Sequence, residues 1–501
     1  MTASPPSTGR TTVRAALTAA LAHHQAGRLD EAARVCRAIL AALPDQPDAR
    51  HLLGLAQYRL GRLDDAEREL ARAVALRPQA APYLAHHGAV LGDLGRVDDA
   101  VAALQRALAL DPANADALCN LGVTLQDAGR NAEAEAAYRQ WTIAHPADPA
   151  AALALGRVLR ARGRHGEARE RIADAVRLAP ALAEAQWDLA LAHLTLGDFA
   201  AGWDAYRWRW ALPANAGTRR PHRQPAWNGR PLAQGEALLL WGEQGVGDTL
   251  MFAACIADAL SRTPRVVVEV EARLVPLLAR SFPAATVVPA LEPPHPATRA
   301  AGIAAQASLG DLPALFRRDE SAFPRHAGWL VADRERTARL RDRYAALPGG
   351  RHIGLAWRSA NPVSGAARSL GAAALAPLAR LHGIAWVSLQ YGARPDEIAA
   401  LREAGIGLHV DADIETGADL DGHAAQLAAL DGVVTIENST AHFAGALGRP
   451  GLVLLPFGAS AYWGTGRSDT PWYPSLRLLR QAAPGDWGPV VAAAASALDP
   501  A

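Results

Sequence analysis

The chain has 501 residues, half of them hydrophobic, which is enough for several domains with sizeable cores. Its 51 basic and 50 acidic residues nearly cancel, arguing against a generic nucleic-acid binder and leaving no polybasic patch for a membrane surface. All 51 basic residues are arginine, which excludes a Walker lysine, a pyridoxal Schiff base and a kinase lysine together; the three widely spaced cysteines imply neither a disulfide framework nor a zinc cluster.

Residues 1–12 open with a Pro-, Ser- and Thr-rich stretch lacking an apolar core and are expected to be disordered, with no secretory signal or membrane span. A cytoplasmic address is the default expectation. From residue 13 a 34-residue period takes over. Gly27, Gly61, Gly95, Gly129, Gly163 and Gly197 keep it, as do Ala32, Ala66, Ala100, Ala134 and Ala168, and Pro44, Pro78, Pro112, Pro146 and Pro180. A helix-turn-helix unit of that length is a tetratricopeptide repeat, and 13–216 holds six. Such units stack into a superhelix whose concave groove holds a protein partner. The sixth is atypical: Trp203, Tyr206, Trp208 and Trp210 replace small residues, as expected of a unit that caps the array or docks it onto another domain, although a core-filling aromatic cluster is the plainer reading.

Residues 217–235, rich in Pro, Gly and Arg, read as a linker. Beyond it the pattern alternates short apolar runs with helices. Strands are predicted at 237–241, 266–270 and 286–289, and helices at 248–260 and 271–281. After a charged helix at 333–346 and a break at Pro348, strands are predicted at 352–357, 385–389, 433–436 and 452–455. These are two α/β halves, 236–346 and 347–501, with parallel sheets and a cleft at the carboxyl ends of their strands.

The first chemical candidate is the strand-to-helix loop holding Gly242, Glu243, Gln244, Gly245, Gly247 and Asp248. Its glycines permit close approach of backbone amides to a ligand. Glu269 and Glu271 stand where a dinucleotide-binding acid would fall, but the glycine spacing is GxxGxG rather than GxGxxG. Asp248 reads either as an N-cap or as a base for an acceptor hydroxyl. The second candidate is Glu437, Asn438, Ser439, Thr440 and His442, where Ser or Thr caps a short helix closed by Gly448 and Pro450. Hydroxyls at a helix N-terminus favour an anion such as a diphosphate, and His442 is either a donor to it or a structural histidine. His23, His24, His86 and His87 have no paired acid at metal-ligand spacing, and Asp411-Ala412-Asp413 is too short a pattern to signify a metal site.

Taken in order, the repeats, Pro225-Ala226-Trp227-Asn228-Gly229, WGEQGVGDTLMF, HIGLAWRSANP, AALDGVVTIENSTAHFAGALGRP and TPWYPSLRLLRQ resemble bacterial repeat-fused glycosyltransferases with a heptosyltransferase-like catalytic region. The resemblance covers nearly the whole chain after residue 12. It implies a GT-B pair of Rossmann-like halves, with the acceptor on the first half and the nucleotide-sugar on the second. It places Asp248 at the general base and Ser439, Thr440 and His442 at the diphosphate. Trp357, Arg358 and Asn361, with Glu437 and Asn438, fall on the donor side. The implied activity is metal-independent, inverting transfer of a sugar to a protein held by the repeats, flagellin being one such acceptor, with no cofactor beyond the donor. The chain reads Ile436-Glu437-Asn438 where relatives usually read Val-Asp-Thr, and the loop 361–368 lacks their His and Asp. A catalytically silent scaffold, and a transferase acting on a glycan or lipid-linked acceptor, are the alternatives.

Overall fold

The computed structural model describes residues 8–362 and 364–499. Residues 1–7 of the stretch expected to be disordered lie outside the described residues, but helix begins at Thr8, not after residue 12. Extending a helix back from a packed turn needs no new nucleus, so a short polar lead-in is easily recruited.

Paired helices follow at the repeat period: Thr8–Gln25 with Leu29–Ala42, Pro47–Arg59 with Leu63–Leu76, Ala81–Asp93 with Val97–Leu110, Ala115–Asp127 with Asn131–Ala144, Pro149–Ala161 with His165–Leu178, and Ala183–Thr195 with Phe199–Tyr206. Each pair turns at its glycine, where φ lies between 73° and 81°, a region that strains any residue bearing a Cβ. The alanine five residues later is at most 1% exposed in all five units that carry it, so the paired helices pack closely there.

The chain divides into two compact units, one ending at Ala185 and the other beginning at Gln186. The division falls inside the sixth repeat. Phe199, Trp203 and Tyr206 share one core with Phe252 and Trp472 of the α/β region, and each ring so buried contributes roughly 1.5–3 kcal/mol. Within the second unit these aromatics are core-filling.

That unit contains two all-parallel sheets. In the first, β1 (Ala237–Trp241), β2 (Val266–Val270), β3 (Thr286–Pro289) and β4 (Ile303–Ser308) run in the order β3-β2-β1-β4. In the second, β5 (Arg351–Ala356), β6 (Ile384–Ser388), β7 (Leu408–His409), β8 (Gly432–Ile436), β9 (Gly451–Leu455) and β10 (Leu476–Arg480) run in the order β10-β9-β8-β5-β6-β7. The expected helix at 248–260 is two helices, Val246–Ala253 and Ile256–Arg262. A tight turn, in which the Cys255 N–H bonds to the Phe252 carbonyl, re-aims the chain so that Phe252 and Ile256 are both buried.

Within residues 217–235, the stretch around Trp227 is anchored to the first sheet, although most of the segment is exposed. Ala226 bridges in parallel to Gln306 of β4, the Trp227 N–H donates to the Gln306 carbonyl at 2.8 Å, and the Trp227 indole donates to the Arg230 carbonyl. This strap covers a sheet edge that would otherwise present unpaired backbone groups.

Candidate active site

The loops after β1 and β8, central strands of their sheets, lead into the helices Val246–Ala253 and Ser439–Ala446. The first turns of the two helices meet at Gly247, where an added Cβ would stand 2.8 Å from His442 Cδ2 and 3.5 Å from Ser439 Cα. Glycine is what this approach requires. Beside the contact opens a cavity of about 400 Å³, and among the expected residues Gly247, Asp248, Arg358, Asn361, Glu437, Asn438, Ser439, Thr440 and His442 line it. The two sequence motifs therefore form one site.

Asp248 is not the N-cap. Gly245 occupies that position and Asp248 is the third residue of the helix, its side chain on the cavity wall. Burial pushes its carboxyl up to about 6; Arg368 opposes the shift and the Glu437 carboxylate adds to it. A carboxyl poised there is ionised near neutrality yet basic enough to accept a hydroxyl proton.

His442 Nδ1 lies 3.0 Å from the Tyr473 hydroxyl. The Tyr473 phenol is fully buried and held protonated; with the phenol as donor to Nδ1, the imidazole proton sits on Nε2. Burial, with Arg368, lowers the His442 pKa to about 4, so the ring is neutral near neutral pH.

Capping of the second helix falls to Asn438 rather than to Ser or Thr. Its Oδ1 accepts from the Thr440 N–H and the Thr435 hydroxyl, each at 3.0 Å. Glu437 Oε1 accepts from the Ser460 N–H at 2.8 Å, and its other oxygen lies 3.5 Å from Arg368 Nε. Glu437 and Asn438, which differ from the resembled pattern, thus each have a definite structural task.

Arg368, which the sequence did not single out, is the cation at this wall. The short helix Gly365–Arg368 delivers it, and its field reaches Asp248 and His442. Arg358 also lines the cavity, but its guanidinium is held by Glu397 at 2.7 Å and the Gly392 carbonyl at 2.5 Å. Trp357 does not line it. Its side chain joins Ile353 and Leu355 in the core of the second half, because alternate residues of an extended chain face the same side.

Of the close-approach loop only Gly247 reaches this cavity. The Gly242 N–H bonds to the Glu269 carbonyl, continuing the strand pairing. Glu243 and Gln244 line a second cavity of about 280 Å³, which shares Asp248 and Tyr462 with the first. Glu269 is bound by Arg220 at 2.8 Å and His222 at 3.0 Å from the strap, which removes it as a ribose ligand. Asp411 and Asp413 are both paired with Arg343, at 2.6 and 2.7 Å. In the first unit the histidines do have neighbours: His86 lies 2.9 Å from His51 and 3.9 Å from Asp116, and His87 is 3.5 Å from Glu67. Among the described residues no group of three or more His, Cys, Asp or Glu is arranged to hold a metal, and no helix is long and apolar enough to cross a membrane.

Comparison with known proteins matches tetratricopeptide-repeat models at residues 23–86, 88–129 and 153–207. The chain contains these repeats. It is 33% identical over 331 residues to Protein FlbA of Caulobacter vibrioides, a match covering 63% of this chain and 55% of that protein; the chain thus spans about half the length of this relative. Among solved structures, MamA is 26% identical over 32% of this chain and 95% of its own, with a TM-score of 0.30. A thermophilic tetratricopeptide-repeat protein of Thermus thermophilus is 23% identical over 36% of this chain and 98% of its own, with a TM-score of 0.32.

Proposed function

We propose that the protein is a GT-B glycosyltransferase that moves a sugar from a nucleotide-sugar to a hydroxyl of a protein bound by its repeats. The observation that carries this reading is a single cavity, at the carboxyl ends of two parallel sheets, walled by a raised-pKa aspartate and by the N-terminus of a Ser/Thr/His-bearing helix. The donor diphosphate lies against Ser439, Thr440, the first amides of Ser439–Ala446 and the His442 Nε2–H, with Arg368 supplying positive charge.

Asp248 takes the acceptor hydroxyl proton as the oxygen attacks the anomeric carbon. The bond from that carbon to the phosphate oxygen breaks, and the nucleoside diphosphate leaves with the electron pair. Attack opposite the leaving group inverts the anomeric centre. Hydrogen-bond donors already in place stabilise the departing oxygen, so transfer is expected to continue in excess EDTA. Protein targets such as flagellin and a soluble, cytoplasmic setting belong to the same proposal.

The test is calorimetric titration of the full chain with a panel of nucleotide-sugars, followed by donor-hydrolysis and transfer assays with and without EDTA. One nucleotide class should bind with a Kd of roughly 1 μM to 1 mM, the range typical of enzyme substrates. Absence of binding across the panel would reject the transferase reading. Activity lost on chelation and restored by manganese would reject the metal-independent step.

A further inference from the structure

We infer that the 280 Å³ cavity beside Asp248 is the acceptor port, and that the sixth repeat supplies the walls that select an uncharged, Ser- or Thr-bearing peptide. This rests on the transferase reading above.

Asp248 and Tyr462 line both cavities, so the aspartate that faces the donor also faces a second compartment. A hydroxyl entering there meets the base without crossing the donor's path. Trp187, Trp210, Asn215 and Thr218 line this compartment and come from the sixth repeat and the turn after it; Gln244 comes from the loop after β1.

The charges are already committed. Arg209 is 2% exposed, bound to Glu243 at 2.8 Å and Asp311 at 2.7 Å, and packed against the rings of Tyr206 and Trp210. It offers no free positive charge, whereas Asp248 adds a carboxylate. The exposed Arg219 guanidinium stands 5.9 Å from the Trp210 ring, so the bias against an acceptor carrying phosphate or an acidic sugar rests on Asp248 alone.

The neutral polar groups are partly spent as well. Gln244 Nε2 donates to the Tyr206 hydroxyl at 2.9 Å, Asn215 Nδ2 to the Arg209 carbonyl at 2.9 Å, and the Thr218 hydroxyl to the Asn215 carbonyl at 3.0 Å. Gln244 and Thr218 then present acceptor oxygen, while Asn215 keeps its side-chain oxygen and one N–H. Their complement is a ligand carrying donors and an acceptor, and a peptide main chain with a hydroxyl side chain provides both. Trp187, packed beside Tyr206, adds apolar surface for the flanking residues, whereas the Trp210 ring is taken up by Arg209 and Trp241.

The test uses the full chain, the nucleotide-sugar found by titration, and two sets of acceptor probes: uncharged peptides with a single Ser or Thr, and neutral methyl glycosides. Trp187→Ala should raise the peptide KM at least tenfold with the donor KM within twofold, and Trp187→Phe should restore most of the loss. Thr218→Val, at an exposed position, should raise the peptide KM several-fold with an unchanged melting temperature. Unchanged peptide KM in all three variants would overturn the port. Transfer to methyl glycosides with none to peptides would overturn the peptide assignment. If no nucleotide-sugar binds the wild type, the transferase reading fails first and takes this inference with it; donor turnover with unaltered acceptor KM rejects the port alone.

Discussion

Asp248 is costly to ionise where it sits, and that cost sets its pH behaviour. In its proposed role as base it must be deprotonated, and its pKa is raised to about 6, so kcat/KM should fall about tenfold per unit as pH drops below about 6 and level off above. Asp248→Asn should remove this limb and lower turnover by roughly two to four orders of magnitude, with the donor Kd little changed; a pH series of initial rates with parallel titrations checks both. His442, at about 4, should add no limb above pH 5. Tyr473→Phe removes the partner of Nδ1, and should weaken donor binding by frustrating the Nε2–H tautomer while leaving the Asp248 limb in place. Asp248, Ser439 and His442 were legible in the sequence because strand-to-helix junctions put residues at a cleft whatever the remaining packing. Arg368 was not: it lies in an Ala/Gly/Ser-rich loop, and only the tertiary path of Gly365–Arg368 brings it to Asp248. Strand parity takes Trp357 away from the donor side, since Ile353 and Leu355 already mark its side as core.

Among the elements, the strands found from sequence are short apolar runs bounded by turn residues. The one missed within the first sheet, β4, reads Ile-Ala-Ala-Gln-Ala-Ser and has a single β-branched residue at its start; its pairing with β1 and with the strap decides its state. Edge strands β7 and β10 carry equally weak local signals. The terminal segment of the sixth repeat, Arg207–Ala211, holds Arg209 against Glu243, and burial raises the Glu243 carboxyl to about 7 despite that partner, with Asp311 adding to the shift. Arg209→Ala should destabilise the second unit by about 3–5 kcal/mol, because a buried carboxylate loses its counter-ion. Urea denaturation measures this, and Glu243→Gln added to Arg209→Ala should recover part of the loss.

On the scale of the whole molecule, the repeat period made the first unit readable almost residue by residue, whereas the boundary at Ala185 was hidden because the sixth repeat keeps the period while changing its allegiance. A chain begun at Gln186 should fold and bind nucleotide-sugar. One begun at residue 217 should melt at a markedly lower temperature, having lost Phe199, Trp203, Tyr206 and Arg209; thermal unfolding of the two compares them directly. Removing the residues before Ala115 should reduce glycosylation of a protein acceptor with the donor Kd intact. Finally, the sixth repeat grips both halves of the cleft: Trp210 packs on Trp241 and Phe199 on Phe323 of the first, while Tyr206 bonds to Tyr462 and Trp203 meets Trp472 of the second. The last repeat is thus a tie shared by the two sheets. Under the transferase proposal, such a tie limits how far the cleft opens to release spent nucleotide.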